Sequence, residues 1–322
     1  MFPFPPYLSR PLWVLPGASV DLDFINGRAW GGGMDALISV SRASGGTGLL
    51  PSSPPGAAYP SFPNNTARIV PGAGLLVETS RTNVLRDSAA PATQTTETLA
   101  TGAWTLWVNG PGSAAVAAGS ATGTGFGTAT NGSPVTFTLT AAGSVVVTVT
   151  GSLAAFQLEQ GAAGSSFIAT GAVAATRASD AVIGTGALAT AYGRVAGTVY
   201  AEYGPIQLNA ANRVIGSNGP VSLINVNTVA QIIAMYDGSV SLSGPAAPLA
   251  SVNRAAASWS PSGRSIVANG GTVGSDTRPR GTPGTLYLGS QSASIQGLMG
   301  YLRRVAFFPA RRDDAILKAM TA

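Results

Sequence analysis

The chain has 322 residues, of which 45% are hydrophobic and 10% charged, so it is long enough for two or three domains with cores of their own. It contains neither cysteine nor histidine, which excludes disulfides, thiolate chemistry, Cys-based metal sites and Ser-His-Asp hydrolysis. The net charge of +5 comes from arginines scattered along the chain, since Lys318 is the sole lysine, and this scatter argues against a nucleic-acid-binding surface.

Glycine and proline, at 42 and 22 residues, favour many short strands joined by tight turns. We therefore predict an all-β chain of tandem β-sandwich or jelly-roll domains with little helix. Changes in composition divide it into an N-terminal irregular anchoring segment at 1–85, a small β-sandwich at 86–165 and a larger sandwich at 166–322.

The segment at 1–85 is rich in proline, and the prolines between 51 and 63 cannot donate to a β ladder. It has a few strand-like runs, such as 19–24 and 36–40. Such a segment rarely builds a core alone, so we expect it to pack on a neighbouring domain or another subunit, as an attachment element or as a plain extended leader. Met1–Tyr7 lacks the pattern of a secretory signal, and no run of about 18 apolar residues predicts membrane insertion.

Small apolar residues alternate with hydroxyl residues between 86 and 165, the period-two pattern of half-buried antiparallel strands. Asn109-Gly110 and Asn131-Gly132 lie between such runs and predict hairpin turns. The alternating runs lie at 105–108, 135–140 and 145–149.

Beyond residue 166, turn residues interrupt strand-like runs about every ten positions, a spacing typical of a sandwich or jelly roll. Asn269-Gly270 predicts a hairpin. The end of the chain, at 313–320, places acids first and a basic residue last around apolar positions, which predicts a short C-terminal helix. The predicted strands lie at 197–203, 221–225, 231–236, 265–268 and 285–288.

Three separated stretches resemble a family of bacteriophage and gene-transfer-agent virion proteins that carry a concanavalin-like (laminin-G-like) lectin domain. The first is GLLVETSRTNVL at 74–85. The second combines FQLEQG at 156–161 with SFI at 166–168 and ATRASD at 175–180. The third is GYLRRVAFFP at 300–309, ahead of the predicted helix. Together they occur in the same order as in that family.

The resemblance implies a concanavalin-like fold for the C-terminal sandwich and a place in a virion, as a head spike or a tail fibre. Such a protein is assembled in the host cytoplasm and released as part of the particle. Its implied partners are a host surface glycan and, through the N-terminal segment, other virion proteins. Repeated copies raise the avidity for a weakly bound glycan, so we also expect a homo-oligomer.

The acidic residues give little indication of catalysis or of metal binding. The E-x-D-x-x-E arrangement that hydrolases of the concanavalin-like fold present is absent, although folding could still bring two carboxylates together. Asp21 and Asp23 share one face of a predicted strand. This spacing could provide two ligands of a calcium site, but a solvated strand face is a simpler interpretation. We expect no catalytic residue, no metal site and no cofactor, and so no enzyme.

Sugar binding requires an aromatic face for the C–H surface of the sugar and planar polar groups for its hydroxyls. The candidates in the C-terminal sandwich are Tyr203, Arg213, Tyr236, Trp259 and Arg264. Trp259 equally fits a core position within a strand.

The function predicted from the sequence is attachment of a virion to host cell-surface polysaccharide. The sequence also fits two alternatives. A decoration protein of the capsid or tail would have no ligand, and a polysaccharide depolymerase would place two carboxylates about 5 to 9 Å apart in a cleft.

Overall fold

Across the described residues the chain is all-β, as predicted, and forms two β-sandwiches with three short helices. None of these helices has the length and apolar character needed to cross a membrane. Met1–Tyr7, on which the expectation about a secretory signal rests, lies outside the described part of the chain. The computed structural model describes residues 10–56, 59–205, 211–219, 221–227, 231–248, 252–292 and 297–322.

The N-terminal segment contains more β-structure than its prolines suggested. The strand predicted over 36–40 is correct only from Ile38 onward, because Ala36 and Leu37 belong to a helical turn. The elements are β1 (Val20–Asp23), β2 (Arg28–Trp30), α1 (Met34–Leu37), β3 (Ile38–Ser41), β4 (Gly46–Thr47), β5 (Ser61–Phe62), β6 (Ile69–Val70), β7 (Gly74–Val77) and β8 (Arg81–Asn83).

The next strands form the small sandwich, whose two sheets have the orders β12-β14-β10-β16 and β13-β11-β15-β9. Their facing side chains, among them Leu106, Phe137 and Leu158, are buried in a single apolar core. The strands are β9 (Gln94–Thr95), β10 (Gly102–Asn109), β11 (Ser113–Ala118), β12 (Thr122–Thr124), β13 (Thr128–Thr130), β14 (Val135–Ala141), β15 (Val145–Thr150) and β16 (Ala155–Gln160).

Asn109-Gly110 and Asn131-Gly132 do not close hairpins, contrary to the prediction. Each turn connects two strands that lie in different sheets, β10 to β11 and β13 to β14. An Asn-Gly pair indicates a tight reversal of the chain but not the sheet that the next strand joins. Both asparagine side chains donate to the carbonyl of Ser53, at 3.3 and 3.0 Å, and so hold the proline-rich segment against the small sandwich.

The C-terminal part supplies most strands of the large sandwich, and every run predicted there as a strand falls on one. The predicted turn at Asn269-Gly270 joins two strands that pair antiparallel, as expected for a hairpin. The elements are β17 (Ala175–Arg177), β18 (Ala181–Gly184), α2 (Gly186–Gly193), β19 (Gly197–Pro205), β20 (Ala211–Ser217), β21 (Ser222–Asn227), β22 (Ile232–Tyr236), β23 (Ser241–Ala246), β24 (Asn253–Ser260), β25 (Gly263–Ala268), β26 (Gly274–Asp276), β27 (Leu286–Leu288), β28 (Gly300–Phe308) and α3 (Asp314–Thr321).

Strands from both ends of the chain build the large sandwich. One sheet has the order β2-β1-β28-β19-β24-β25-β26, with β7 also paired to β28 and β6 to β7. The other has the order β23-β22-β21-β20-β27-β18-β3. Side chains of both sheets and of α2 share one buried core. The N-terminal strands β1, β3 and β7 therefore complete the C-terminal sandwich.

The acids of β1 do not lie on a solvated face, which corrects the simpler interpretation of their spacing. Asp21 is fully buried and accepts hydrogen bonds from Arg304 of the neighbouring strand β28, with its Oδ2 2.6 Å from Nη2. Asp23 is also buried and binds the backbone N–H and side-chain amide of Asn26. Both acids therefore stabilise the edge region of the nine-stranded sheet.

The predicted C-terminal helix is present as α3. Leu317 on its inner side packs against Ala256 and Val267, which project from β24 and β25. The helix thus covers the outer face of the nine-stranded sheet, away from the core between the two sheets.

We expect Gly74→Ala to lower the free energy of unfolding by about 2 kcal/mol or more, through overpacking and backbone strain. Gly74 has φ of +121°, and a Cβ there would overlap the carbonyl oxygen of Leu302 in the adjacent strand. Urea denaturation would measure the change. Gly171→Ala is the control, because a Cβ at that position meets nothing within 4 Å; equal destabilisation by both substitutions would contradict the explanation.

Candidate functional site

Charged residues of the first two resembling stretches, together with two arginines from outside them, meet in the interior between the large and the small sandwich. We call this group the joint cluster. Every side chain in it is at most 2% exposed. It comprises Arg42, Arg68, Glu78, Arg177 and Asp180.

Arg68 is the centre of the joint cluster. Its Nη1 lies 2.7 Å from Oε2 of Glu78, and its Nε and Nη2 donate to the two oxygens of Asp180. Asp180 also accepts from Nη1 of Arg42 at 2.8 Å. The Nη2 of Arg177 is 3.4 Å from the same Glu78 oxygen and donates to the Thr79 carbonyl.

These contacts shift the pKa values of the cluster. Burial alone would raise the pKa of Glu78, but the charges of Arg177 and Arg68 and the hydrogen bonds from Ser166 lower it to about 2. Burial opposes the charge of Arg68, yet the carboxylates of Glu78 and Asp180 outweigh it and raise its pKa. Glu78 and Arg68 therefore remain ionised at neutral pH.

A continuous chain of hydrogen bonds links the joint cluster to the small sandwich. Ser166 donates its backbone N–H and its hydroxyl to Glu78, at 2.8 and 2.6 Å. Its neighbour Ser165 makes the same pair of bonds to Glu159 in strand β16, both at 2.6 Å. Gln157 adds a third bond to Glu159 at 2.8 Å. The two serines thus connect one buried glutamate in each sandwich.

The two glutamates have opposite electrostatic surroundings. Burial raises the pKa of Glu159, despite the hydrogen bonds from Ser165 and Gln157, and Arg81 approaches it only to 3.7 Å. Glu78, in contrast, contacts two guanidinium groups. Of these two glutamates, it is therefore Glu78 whose negative charge stabilises the fold.

The joint cluster is enclosed and offers no surface to a substrate. Its carboxylates are held by arginines and serines, and it joins chain segments that are distant in sequence. Glu78, Arg177 and Asp180, which lie in the resembling stretches, therefore have a structural role. They help to hold the two sandwiches together.

Three of the five predicted carbohydrate-binding side chains are fully buried, so the structure places them away from any surface that a sugar could reach. Tyr203 and Trp259 belong to the core of the large sandwich. Arg264 has a carboxylate on either side, with its Nη2 2.5 Å from Oδ2 of Asp276 and its Nη1 3.3 Å from Oδ2 of Asp237. The residue type of an aromatic or an arginine does not by itself show whether its side chain is buried.

The other two candidates lie in the seven-stranded sheet. Arg213 is buried in strand β20, donates to the Val221 carbonyl, and has a pKa lowered by burial. Tyr236, at the end of β22, is half-buried. The five predicted side chains therefore do not form one exposed surface, although Trp259 and Arg264 are directly paired across β24 and β25.

An open recess of about 350 Å³ lies where the end of α2, the turn between β24 and β25 and the loop before β27 meet. Its volume is in the range typical of small-molecule sites. Proline rings, hydroxyl groups and two arginines line it, and none of the lining residues is acidic. They are Gly193, Arg194, Val195, Ser260, Pro261, Pro279, Arg280, Gly281, Thr282 and Pro283.

Arg280 is fixed in this recess by aromatic rings and carbonyl groups. Its Cζ lies 4.6 Å from the ring centre of Trp259 and 5.0 Å from that of Tyr192, distances typical of cation–π contacts. Its Nη1 donates to the Tyr192 carbonyl at 2.7 Å, and its Nη2 to the Arg194 carbonyl at 3.2 Å. Trp259 therefore supports the recess from inside the core instead of facing a ligand.

Arg280 and Arg194 were not among the residues predicted from the sequence. The available signal is the stretch TRPRGTP at 277–283, in which arginines alternate with prolines in a loop. Such a loop holds its arginines in a restricted backbone, but only the folded chain brings it beside Trp259.

No family model and no curated protein matches the chain. Among solved structures it is similar to the CBM40 domain of the Ruminococcus gnavus IT-sialidase bound to a sialyllactose, with 18% identity and a TM-score of 0.35, covering 42% of this chain and 87% of that one. A leech intramolecular trans-sialidase shows 13% identity and a TM-score of 0.35, covering 42% and 24%. A pentraxin from Limulus polyphemus shows 14% identity and a TM-score of 0.29, covering 40% and 70%. Similarities at these TM-scores do not indicate a function.

We expect Glu78→Gln to destabilise the protein by about 3–5 kcal/mol, because it leaves buried guanidinium groups without their counter-charge. The NH2 group of the new glutamine would also face a hydrogen-bond donor in either orientation of the amide. This donor is the guanidinium of Arg68 in one orientation and the backbone N–H of Ser166 in the other. Glu159→Gln is the matched control, since its amide can keep every bond by donating to the Ser165 hydroxyl, and should cost less than about 1 kcal/mol. Chemical denaturation at pH 7 measures both, and equal losses would contradict this account.

The stabilities of Glu78→Gln and Glu159→Gln, each relative to the wild type, should change with pH in opposite directions. The folded-state pKa of Glu78 is lowered from 4.5 to about 2, so its stabilisation is complete above about 4.5 and is lost as pH falls towards 2. The stability gap between the wild type and Glu78→Gln should therefore narrow between pH 5 and pH 2. The raised pKa of Glu159 means that ionisation costs stability, so Glu159→Gln should gain relative to the wild type as pH rises above 4.5.

Proposed function

We propose that this protein is a non-catalytic, glycan-binding structural protein of a phage-like or gene-transfer-agent particle, and that it attaches the particle to host cell-surface polysaccharide. The recess around Arg280 carries the proposal. It is an open site in the large sandwich where fixed hydrogen-bond donors and ring surfaces occur together.

The chemistry of the lining supports a sugar ligand. Pro261, Pro279 and Pro283 offer apolar ring surfaces to the C–H faces of a sugar, while Ser260 and Thr282 offer hydroxyl groups. Mostly apolar walls with a few well-placed polar groups are typical of ligand sites. Arg280 is held in position before any ligand arrives, which lowers the entropic cost of binding.

The absence of acids from the lining favours binding over hydrolysis. Glycosidases use two carboxylates on either side of the scissile bond, and the residues that line the recess include none. The nearby acids Asp237 and Asp276 are engaged by Arg264 and Arg278. A polysaccharide held in this recess would therefore be retained intact.

The virion part of the proposal is supported by the three stretches that resemble phage and gene-transfer-agent proteins. The joint cluster suits this role, because it fixes the small sandwich to the large one and so presents the recess on a stiff support. In the proposed arrangement the N-terminal segment contacts other virion proteins. Several copies would together raise the avidity for the glycan.

We expect the purified full chain to be retained on capsulated host cells but not on capsule-free cells, without release of soluble oligosaccharide. Gly193→Tyr should reduce retention at least tenfold, because Gly193 borders the recess and a Cβ there meets no neighbouring atom within 4 Å. Gly171→Tyr, at an equally open position outside the recess, should leave retention unchanged.

The other outcomes identify the alternatives. Release of oligosaccharide would make the protein a depolymerase. Failure of the correctly folded wild type to bind either kind of cell would favour a decoration protein without a ligand. Equal effects of the two tyrosine variants would place binding elsewhere on the molecule.

A further inference from the structure

We infer that the recess selects an acidic glycan, and that Arg194 and Arg280 bind a sugar carboxylate there. The inference rests on the proposed glycan-binding function and specifies the chemical class of the ligand. It is carried by a local excess of positive charge, because three arginines that form no ion pair among the described residues lie together at the recess.

Three arginines at the recess form no ion pair with a carboxylate among the described residues. Arg194 and Arg280 line the recess directly. Arg311 reaches it from the side, with its Nη1 3.3 Å from the hydroxyl of Ser260. The recess therefore combines three positive charges with a lining that contains no acid.

Five other arginines of the large sandwich are matched to acids. Glu202 contacts two of them and Asp237 another two, with nitrogen–oxygen distances of 2.9 to 3.7 Å. Arg10, Arg28, Arg86 and Arg312 also form no ion pair among the described residues, but none of them lines the recess, where three such arginines lie together. The matched arginines are Arg254 and Arg303 with Glu202, Arg264 and Arg278 with Asp237, and Arg304 with Asp21.

The geometry of Arg280 suits a carboxylate. A guanidinium has five N–H donors, and the carbonyls of Tyr192 and Arg194 occupy one at each terminal nitrogen. The remaining donors have no partner among the described residues. Burial lowers the pKa of Arg280 to about 10, so it stays charged at neutral pH, and an incoming anion would offset the cost of its partial desolvation.

Arg194 is placed to complete the site. It is exposed at the rim, and its backbone carbonyl accepts hydrogen bonds from both Arg280 and the indole of Trp259, which fixes the position of the residue. Its side chain forms no ion pair among the described residues, and we place it over the ligand that Arg280 holds. Two arginines on one carboxylate give short, charge-assisted bonds, stronger than those to a neutral hydroxyl.

The test compares the capsular polysaccharide of the retained cells with the same polymer after chemical reduction of its carboxylates to alcohols. The wild-type full chain should bind the native polymer at least tenfold more tightly. Arg194→Gln and Arg280→Gln should each abolish this preference. Arg194 is exposed, so its variant keeps the test valid even if replacement of the half-buried Arg280 impairs folding.

Arg254→Gln is the matched control, because it removes the same charge from an exposed arginine outside the recess and should retain the preference. Equal binding to native and reduced polymer, or a capsule that contains no acidic sugar, would overturn the inference while leaving glycan binding intact. Absence of binding to both polymers would instead remove the proposed function itself. Equal losses in all three arginine variants would show general charge attraction, and would also overturn the inference.

Discussion

The buried carboxylate of Glu78, held between Arg68 and Arg177, is the interaction on which the arrangement of this protein depends. Removing such charges from water is costly, and their mutual attraction offsets the cost only when every partner is in place. The partners come from chain segments that are more than 80 residues apart. The fold must therefore bring the N-terminal strands, the serine connector and the large sandwich together at once, which leaves few alternative packings.

This constraint explains why the stretches that resemble virion proteins are mostly buried. Glu78, Glu159 and Arg177 belong to these stretches, and each is enclosed in the structure. They provide the internal framework of the molecule. Specificity for a ligand must then come from loops at the surface, which can vary without disturbing that framework.

The sequence allowed the prediction of the final helix and of five of the twelve described strands beyond residue 166, because period-two alternation and charge order are local signals. It did not indicate that Asn109-Gly110 crosses between sheets, since partner choice depends on distant strands. It also placed Trp259 and Arg264 at a sugar site, although the first is a core residue and the second lies between Asp237 and Asp276. Residue type indicates what a side chain can bind, but only the fold determines what surrounds it.

Charge pairing and position at the recess together separate structural arginines from candidate binding arginines in this chain. It has no histidine and no cysteine, so arginine is its main polar cation both for internal stability and for contact with anions. Where an arginine is buried with carboxylates, as Arg264 is, its charge is used within the fold. Arg280 is stacked on rings, bound to backbone carbonyls and lines an open recess, so its charge has no carboxylate partner among the described residues and is available to an external anion. The recess is thus distinguished by a group of arginines without carboxylate partners among the described residues. A fixed cation of this kind is stabilised most by a ligand that supplies the counter-charge.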